Sequence, residues 1–197
     1  MQPDGAPPQM TTGVETEVKI RIGDTGEMSS RLKASGFSIS VAREFEANTL
    51  FDTQDRSLGR NGMLLRLRQF GGKGVITWKG RGLAGPYKSR PELETSVGSI
   101  ETLQQILGHV GYDPLFRYEK YRTEFRKSES PGVVTLDETP IGNFLELEGP
   151  GAWIDGTARV LGFSPQAYIL DSYGTLYLSD CERRGVQPGH MVFASHT

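Results

Sequence analysis

Val14-Glu15-Thr16-Glu17-Val18-Lys19-Ile20-Arg21-Ile22 decides the fold, because charged side chains occupy every second position along it. Side chains two apart on a strand share a face, so Glu15, Glu17 and Lys19 lie opposite Thr16, Val18 and Ile20. Outward from this stretch the same period keeps returning. It predicts strands over 47–52, 63–70, 75–79, 90–97, 118–126, 133–137 and 143–148. Pro91 should confine its strand to an edge or a strand start. Asn61-Gly62 reads as a turn, and Gly71 to Gly74 as a hairpin tip. Helical spacing appears over 24–35 and over 99–110, the latter capped by Ser99. Two further helices are expected at 153–161 and 173–184, stopped by Gly162 and Gly185. Residues 1–13 read as a loose, disordered tail, 14–185 as one mixed α+β domain, and 186–197 as an irregular C-terminal tail.

The polar faces of these strands share an unusual composition. Arg66 and Arg68 lie opposite Leu65 and Leu67, and Lys79 shares a face with Thr77 and Val75. Arg90, Glu92 and Glu94 share another, as do Lys120, Arg122 and Glu124. Asp137 joins Thr135 and Val133, while Glu146 and Glu148 lie opposite Leu145 and Leu147. A sheet with one solvated face would explain any single strand. Such a face normally mixes Ser, Thr, Asn and Gln with its charges, whereas these positions are nearly all Arg, Lys, Glu or Asp. Glu-x-Glu occurs at 15/17, 92/94 and 146/148, and neighbouring carboxylates repel one another unless cations answer them.

Closure into a barrel of about eight strands would turn the charged face inward and leave the apolar face to be covered by helices. Carboxylates on one wall would suit hard divalent cations, and Arg and Lys on the other would clamp phosphate oxygens.

Composition narrows the alternatives. In 197 residues, 22 Lys and Arg face 24 Asp and Glu, a net charge of −2 that gives no field for bulk binding to nucleic acid or an acidic membrane. Cys181 is the single cysteine, so neither an internal disulfide nor a cysteine-built zinc site can form. No apolar run approaches ~18 residues and the N-terminus lacks a signal pattern, so the expectation is a soluble cytoplasmic protein. Gly71-Gly72-Lys73-Gly74 lacks a Walker pattern, and His109, His190 and His196 lack ligand spacing. Cys181 reads as a packed small hydrophobe, and Tyr173, Leu176 and Tyr177 as packing residues.

These residues together resemble the CYTH domain, or triphosphate tunnel metalloenzyme, family. Glu15-Thr16-Glu17-Val18-Lys19 matches its Glu-x-Glu-x-Lys signature. The likeness continues through Leu50-Phe51-Asp52-Thr53, Leu65-Arg66-Leu67-Arg68, Ile76-Thr77-Trp78-Lys79-Gly80 and Arg90-Pro91-Glu92-Leu93-Glu94. Later blocks are Lys120-Tyr121-Arg122, Val134-Thr135-Leu136-Asp137-Glu138, Gly142 to Gly149 and Ser172-Tyr173. In one place the chain departs from many members: Asp171 precedes Ser172-Tyr173, and no Lys follows Lys127.

The resemblance implies a closed antiparallel eight-stranded β-barrel with helices outside, acting on a triphosphate with Mg²⁺ or Mn²⁺. It implies that Glu15, Glu17, Asp137, Glu146 and Glu148 hold metal. Lys19, Arg66, Arg68, Lys79, Lys120 and Arg122 would hold phosphate, with Glu92 and Glu94 lining the opposite wall against substrate or a second metal. Glu15, Glu17, Lys19, Glu146 and Glu148 would form the catalytic set. The implied partner is a small triphosphate (tripolyphosphate, ATP or thiamine triphosphate) and the chain a monomer or homodimer. Hydrolysis of the terminal phosphate is the leading reaction, since the His-Phe pair of some cyclase-type members is missing from residues 1–14. A class IV adenylate cyclase making cyclic AMP and pyrophosphate is the alternative, and a non-catalytic polyphosphate or nucleotide sensor the third reading.

Overall fold

The computed structural model describes residues 11–194. The chain begins with strand β1 (Thr11–Ile22), helix α1 (Thr25–Ala34) and the long strand β2 (Ser38–Asp52). A single-turn helix α2 (Ser57–Arg60) leads into β3 (Leu64–Phe70), β4 (Lys73–Lys79) and β5 (Lys88–Val97). Helix α3 (Ile100–His109) precedes β6 (Asp113–Arg126), β7 (Val133–Thr139) and β8 (Gly142–Glu148). Helix α4 (Gly151–Val160), a 3₁₀ turn (Pro165–Ala167) and helix α5 (Tyr173–Arg184) complete it. The strands close into an antiparallel barrel in the order β1-β5-β4-β3-β2-β6-β7-β8. Among the described residues no helix is long and apolar enough to cross a membrane.

Local chemistry sets the boundaries. Asp24, Ser99 and Ser172 each accept a backbone N–H of the following turn and so cap α1, α3 and α5. Gly185 takes the left-handed conformation that ends α5. Gly71 and Gly72 both have positive φ, which a tight hairpin between right-twisted strands requires.

Most of the core forms on the outward apolar face. Val18, Ile20, Val134, Leu136, Leu145 and Leu147 pack beneath Met28 and Leu32 of α1 and Ile154 and Ala158 of α4. Phe51 and Leu67 meet Leu107 of α3. Tyr118 and Phe144 share the inward face of Lys120 and Glu146, and with Tyr173 and Met191 they form a third cluster inside the α5 end of the barrel.

Several expectations need correction. Strand β1 starts at Thr11, so residues 11–13 belong to the barrel, while the rest of the expected tail, 1–10, lies outside the described residues. Strand β2 begins nine residues earlier than expected, at Ser38 rather than 47, because two irregularities in its pairing with β6 break the strict alternation over 39–44. Pro91 sits inside β5, not at an edge, since the closed barrel has none; the β4–β5 ladder ends at Lys79↔Glu92, one residue short of it.

Of the expected tail 186–197, residues 195–197 lie outside the described residues; 186–194 hold no helix or strand, yet Met191 is fully buried. It exchanges backbone hydrogen bonds with Arg117 and Glu119 where β6 has run past β7. Ile169 does the same for Lys19, where β1 has run past β5. Both ladders are thus continued by C-terminal chain.

Leu147 is 0% exposed among these packed side chains. Leu147→Ala should therefore cost about 2–5 kcal/mol. Urea unfolding should show a lowered midpoint with an unchanged slope.

Candidate functional site

The barrel encloses a cavity of about 420 Å³ in which 16 of the 26 lining residues are charged. Strand β1 contributes Glu15, Glu17 and Lys19, and β8 contributes Glu146 and Glu148. Arg66 and Arg68 enter from β3, Lys79 from β4, Glu92 and Glu94 from β5, and Lys120 and Arg122 from β6. Asp137 of β7 lies just behind this lining, with no exposed surface. The period-2 reading therefore placed these groups on the correct face.

Separation of acids and bases onto two walls is not what the barrel shows; they interleave as ion pairs. Lys19 Nζ lies 2.8 Å from Glu17 and 3.2 Å from Glu146, while Lys88 Nζ lies 2.6 Å from Glu17. Lys79 pairs with Glu15 and sits 3.0 Å from Glu92. Arg68 reaches Glu94 at 3.1 Å. Asp137 accepts from Lys120 at 2.9 Å, from Arg122 Nε at 2.6 Å and from the Tyr173 hydroxyl at 2.7 Å. Unpaired charge inside a closed barrel would bear a desolvation cost of several kcal/mol per ion, and pairing offsets it.

Register explains the local field. Glu17 faces Glu148 across the β1–β8 ladder, and Lys19 faces Glu146. Burial, then the nearby Glu17 charge, pushes the Glu15 carboxyl up to about 8. The same two causes raise Glu148, which has no ion-pair partner among the described residues. Burial opposes ionisation of Glu17 as well, but Lys19, Lys88 and Lys79 overcome it and hold that carboxyl well below the usual range. Glu146 is lowered in the same way by Lys19, Arg122 and Lys120.

Some groups escaped the sequence reading. Glu46 is 3% exposed and carries Lys120 at 3.5 Å and Arg68 at 3.9 Å. Lys120, Arg122, Arg68 and Arg66 outweigh its burial and hold it at about 2. Lys88 was findable, two residues before Arg90 on the same face; Glu46 was not, because the expected strand began after it. Tyr173 packs, as expected, but its hydroxyl also enters the site.

Residues 13–154 match the model of the CYTH domain. The chain belongs to the CYTH domain family. A Methanocaldococcus jannaschii relative, named provisionally as an adenylate cyclase, is 28% identical over 148 residues, covering 75% of this chain and 83% of that protein. A Vibrio parahaemolyticus structure, again named provisionally as an adenylate cyclase, superposes with a TM-score of 0.73 at 20% identity, covering 86% of this chain and 99% of its own. A Hippeastrum structure, described as an adenylyl cyclase candidate with a dominant triphosphatase activity, has a TM-score of 0.58 at 18% identity, covering 88% and 97%. At these identities the two solved structures share the CYTH barrel with this chain, and the likeness extends to the fold alone.

The two displaced carboxyls give opposite pH signatures. Glu46 titrates below its ordinary value of 4.5, so its contribution to stability is present above that value and is lost as pH falls toward 2. Glu15 titrates above 4.5, so its contribution is present at lower pH and is lost as pH rises through about 8. In chelator-treated protein, Glu46→Gln should flatten the acid limb of a plot of urea midpoint against pH. Glu15→Gln should flatten the decline between about pH 5 and 8.

Proposed function

We propose that this CYTH protein hydrolyses the terminal phosphate of a triphosphate held inside its barrel, with a divalent cation. The observation that carries the reading is a set of buried guanidinium donors. Arg66, Arg68 and Arg90 all line the cavity, and their buried Nε–H groups have no acceptor among the described residues. A buried donor without an acceptor costs about 1–3 kcal/mol, and phosphate oxygens would remove that cost. Lys19, Lys79, Lys120 and Arg122 supply further positive charge around the same space.

The CYTH family is metal-dependent in general. Glu15, Glu17, Glu146 and Glu148 fit the role, being hard oxygen donors on two paired strands where burial and mutual repulsion already favour added positive charge. No three carboxylates among the described residues are yet drawn together for ligation, because the lysines hold them apart. We assign Asp137 differently from the family-based expectation: its oxygens already serve Lys120, Arg122 and Tyr173, which makes it the anchor of the cations. Glu92 and Glu94 hold Lys79 and Arg68 in place.

When bound, the metal supplies Lewis-acid neutralisation of phosphate oxygens and an acidified water. This chain's part is positional. The guanidinium forks align the phosphate chain, and the barrel wall excludes bulk water. The cations absorb charge as the terminal bond loosens.

Cyclisation of ATP is the second reading, favoured by the name of the Methanocaldococcus jannaschii relative. Hydrolysis is preferred because, among the described residues, the aromatic rings lining the cavity are Tyr118 and Tyr173, and both are buried, which offers a base little ring surface to stack on. Product analysis with tripolyphosphate, thiamine triphosphate and ATP, each with Mg²⁺ and with Mn²⁺, separates the two. Free phosphate is expected; cyclic AMP with pyrophosphate would establish the cyclase. Binding without turnover would mark a sensor.

Arg66→Ala and Arg68→Ala should each lose about 1.5–3 kcal/mol in kcat/KM for a triphosphate, with Arg→Lys restoring only part. Wild-type rates in both alanine variants would remove the guanidinium argument. Calorimetry near pH 7 in buffers of different ionisation enthalpy should show a proton released as Mg²⁺ binds, and Glu15→Gln should abolish that release.

A further inference from the structure

Lysine is an unexpected choice for a fixed cation, since its ammonium is a compact charge on a flexible four-carbon stem. Lys120 is nonetheless fully enclosed, with its side chain 3% exposed. Three groups from three different elements surround it. Asp137 of β7 accepts from its Nζ at 2.9 Å. Glu46 of β2 stands 3.5 Å away and is itself held by a 3.0 Å hydrogen bond from Asn48 Nδ2. The Tyr173 ring, from the first turn of α5, has its centroid 5.3 Å from the ammonium.

Tyr173 also sets the other side of this cage. Its hydroxyl donates to Asp137 Oδ2, the same oxygen that accepts from Lys120. Asp137 is thereby fixed from α5 as well as from β6. An ammonium has three N–H bonds; Asp137 takes one and Glu46 attracts the ammonium by charge from 3.5 Å, so the others are left for the cavity that Lys120 lines. We propose that Glu46 and Tyr173 are positioning residues that lock Lys120 with a free N–H aimed at a phosphate oxygen. This rests on the triphosphate reading above, while the lock itself is a property of the free protein. Its use is geometric, because misplacing a charged group by about 1 Å costs on the order of a hundredfold in rate.

A purely structural role for the two residues would offset buried charge without fixing the direction of the ammonium. Two substitutions separate these roles. Tyr173→Phe keeps the ring and the charge balance and removes only the hydroxyl that steadies Asp137. Glu46→Gln keeps the shape and removes the charge beside Lys120. The direct readout is the ¹H–¹⁵N correlation of lysine ammonium groups at low temperature, which detects ammoniums held by hydrogen bonds; Lys120→Arg assigns the signal. Wild-type protein should show the Lys120 signal, and both variants should lose or broaden it, with Tyr173→Phe keeping a thermal midpoint close to wild type and Glu46→Gln lowering its own by removing a buried countercharge.

With tripolyphosphate and Mn²⁺, Tyr173→Phe should lower kcat about tenfold and leave KM within about twofold. A Lys120 signal unchanged in both variants would overturn the lock, whatever the activity. If the signal behaves as expected but wild-type protein turns over no triphosphate, the lock stands and the hydrolase reading falls.

Discussion

The whole molecule depends on how charge is balanced inside a closed barrel. Strand alternation sends one face of every strand inward, and here that face is charged, so closure removes many ions from bulk water at once. The lining holds nine Lys and Arg against seven Glu, and Glu46 and Asp137 behind it make up the difference. Near-neutrality of this kind is what allows the outward faces to supply ordinary hydrophobic stabilisation under α1, α3 and α4. The balance is local as well as global. Lysines 19 and 88 share Glu17, and arginines 66 and 68 share Glu94, so single acids answer two cations each. Replacing one member therefore disturbs several pairs, and effects within this network will not add.

The C-terminal fifth of the chain does two jobs through one segment. Ile169 and Met191 continue ladders that the barrel strands leave short, and between them α5 brings Ser172, Tyr173 and Gly174 to the cavity wall. Strand pairing, helix docking and site geometry are thus tied to one another at the same end of the barrel. The opposite end is managed differently. Residues 38–45 of β2 pair with β6 alone, and β3 joins only from Glu46 onward, so the wall is thinner there and its side chains more exposed.

Much of this was legible in the residues, for a physical reason. A barrel strand with one charged and one apolar face writes its orientation into every second position, and Glu15-Thr16-Glu17-Val18-Lys19 does so without ambiguity. What stayed hidden was whatever broke that period or reached the site from a helix. Glu46 precedes the expected start of its strand because irregular pairing disrupts 39–44. Tyr173 sits at helical spacing with Leu176 and Tyr177, where apolar packing is the ordinary reading; only the docking of α5 shows that its hydroxyl reaches Asp137. Pairing between specific charges was equally out of reach, because strand order around the barrel decides which lysine meets which glutamate.

The closing seam joins β1 to β8, which brings residues about 130 positions apart into register. Contacts of such long sequence separation form late and slowly. During synthesis, β1 must wait until nearly the whole domain has emerged before it finds one of its two neighbours. Its Glu and Lys row keeps it hydrated in the meantime, and its Val18 and Ile20 face stays available for α1, which follows immediately in the chain. Since Glu17, Lys19, Glu146 and Glu148 straddle this seam, the charged interior comes into being only with the last step of closure. A chain that ends before β8 can still pair its other strands, but Glu17 and Lys19 then lack Glu148 and Glu146 across the seam and the charged interior stays open.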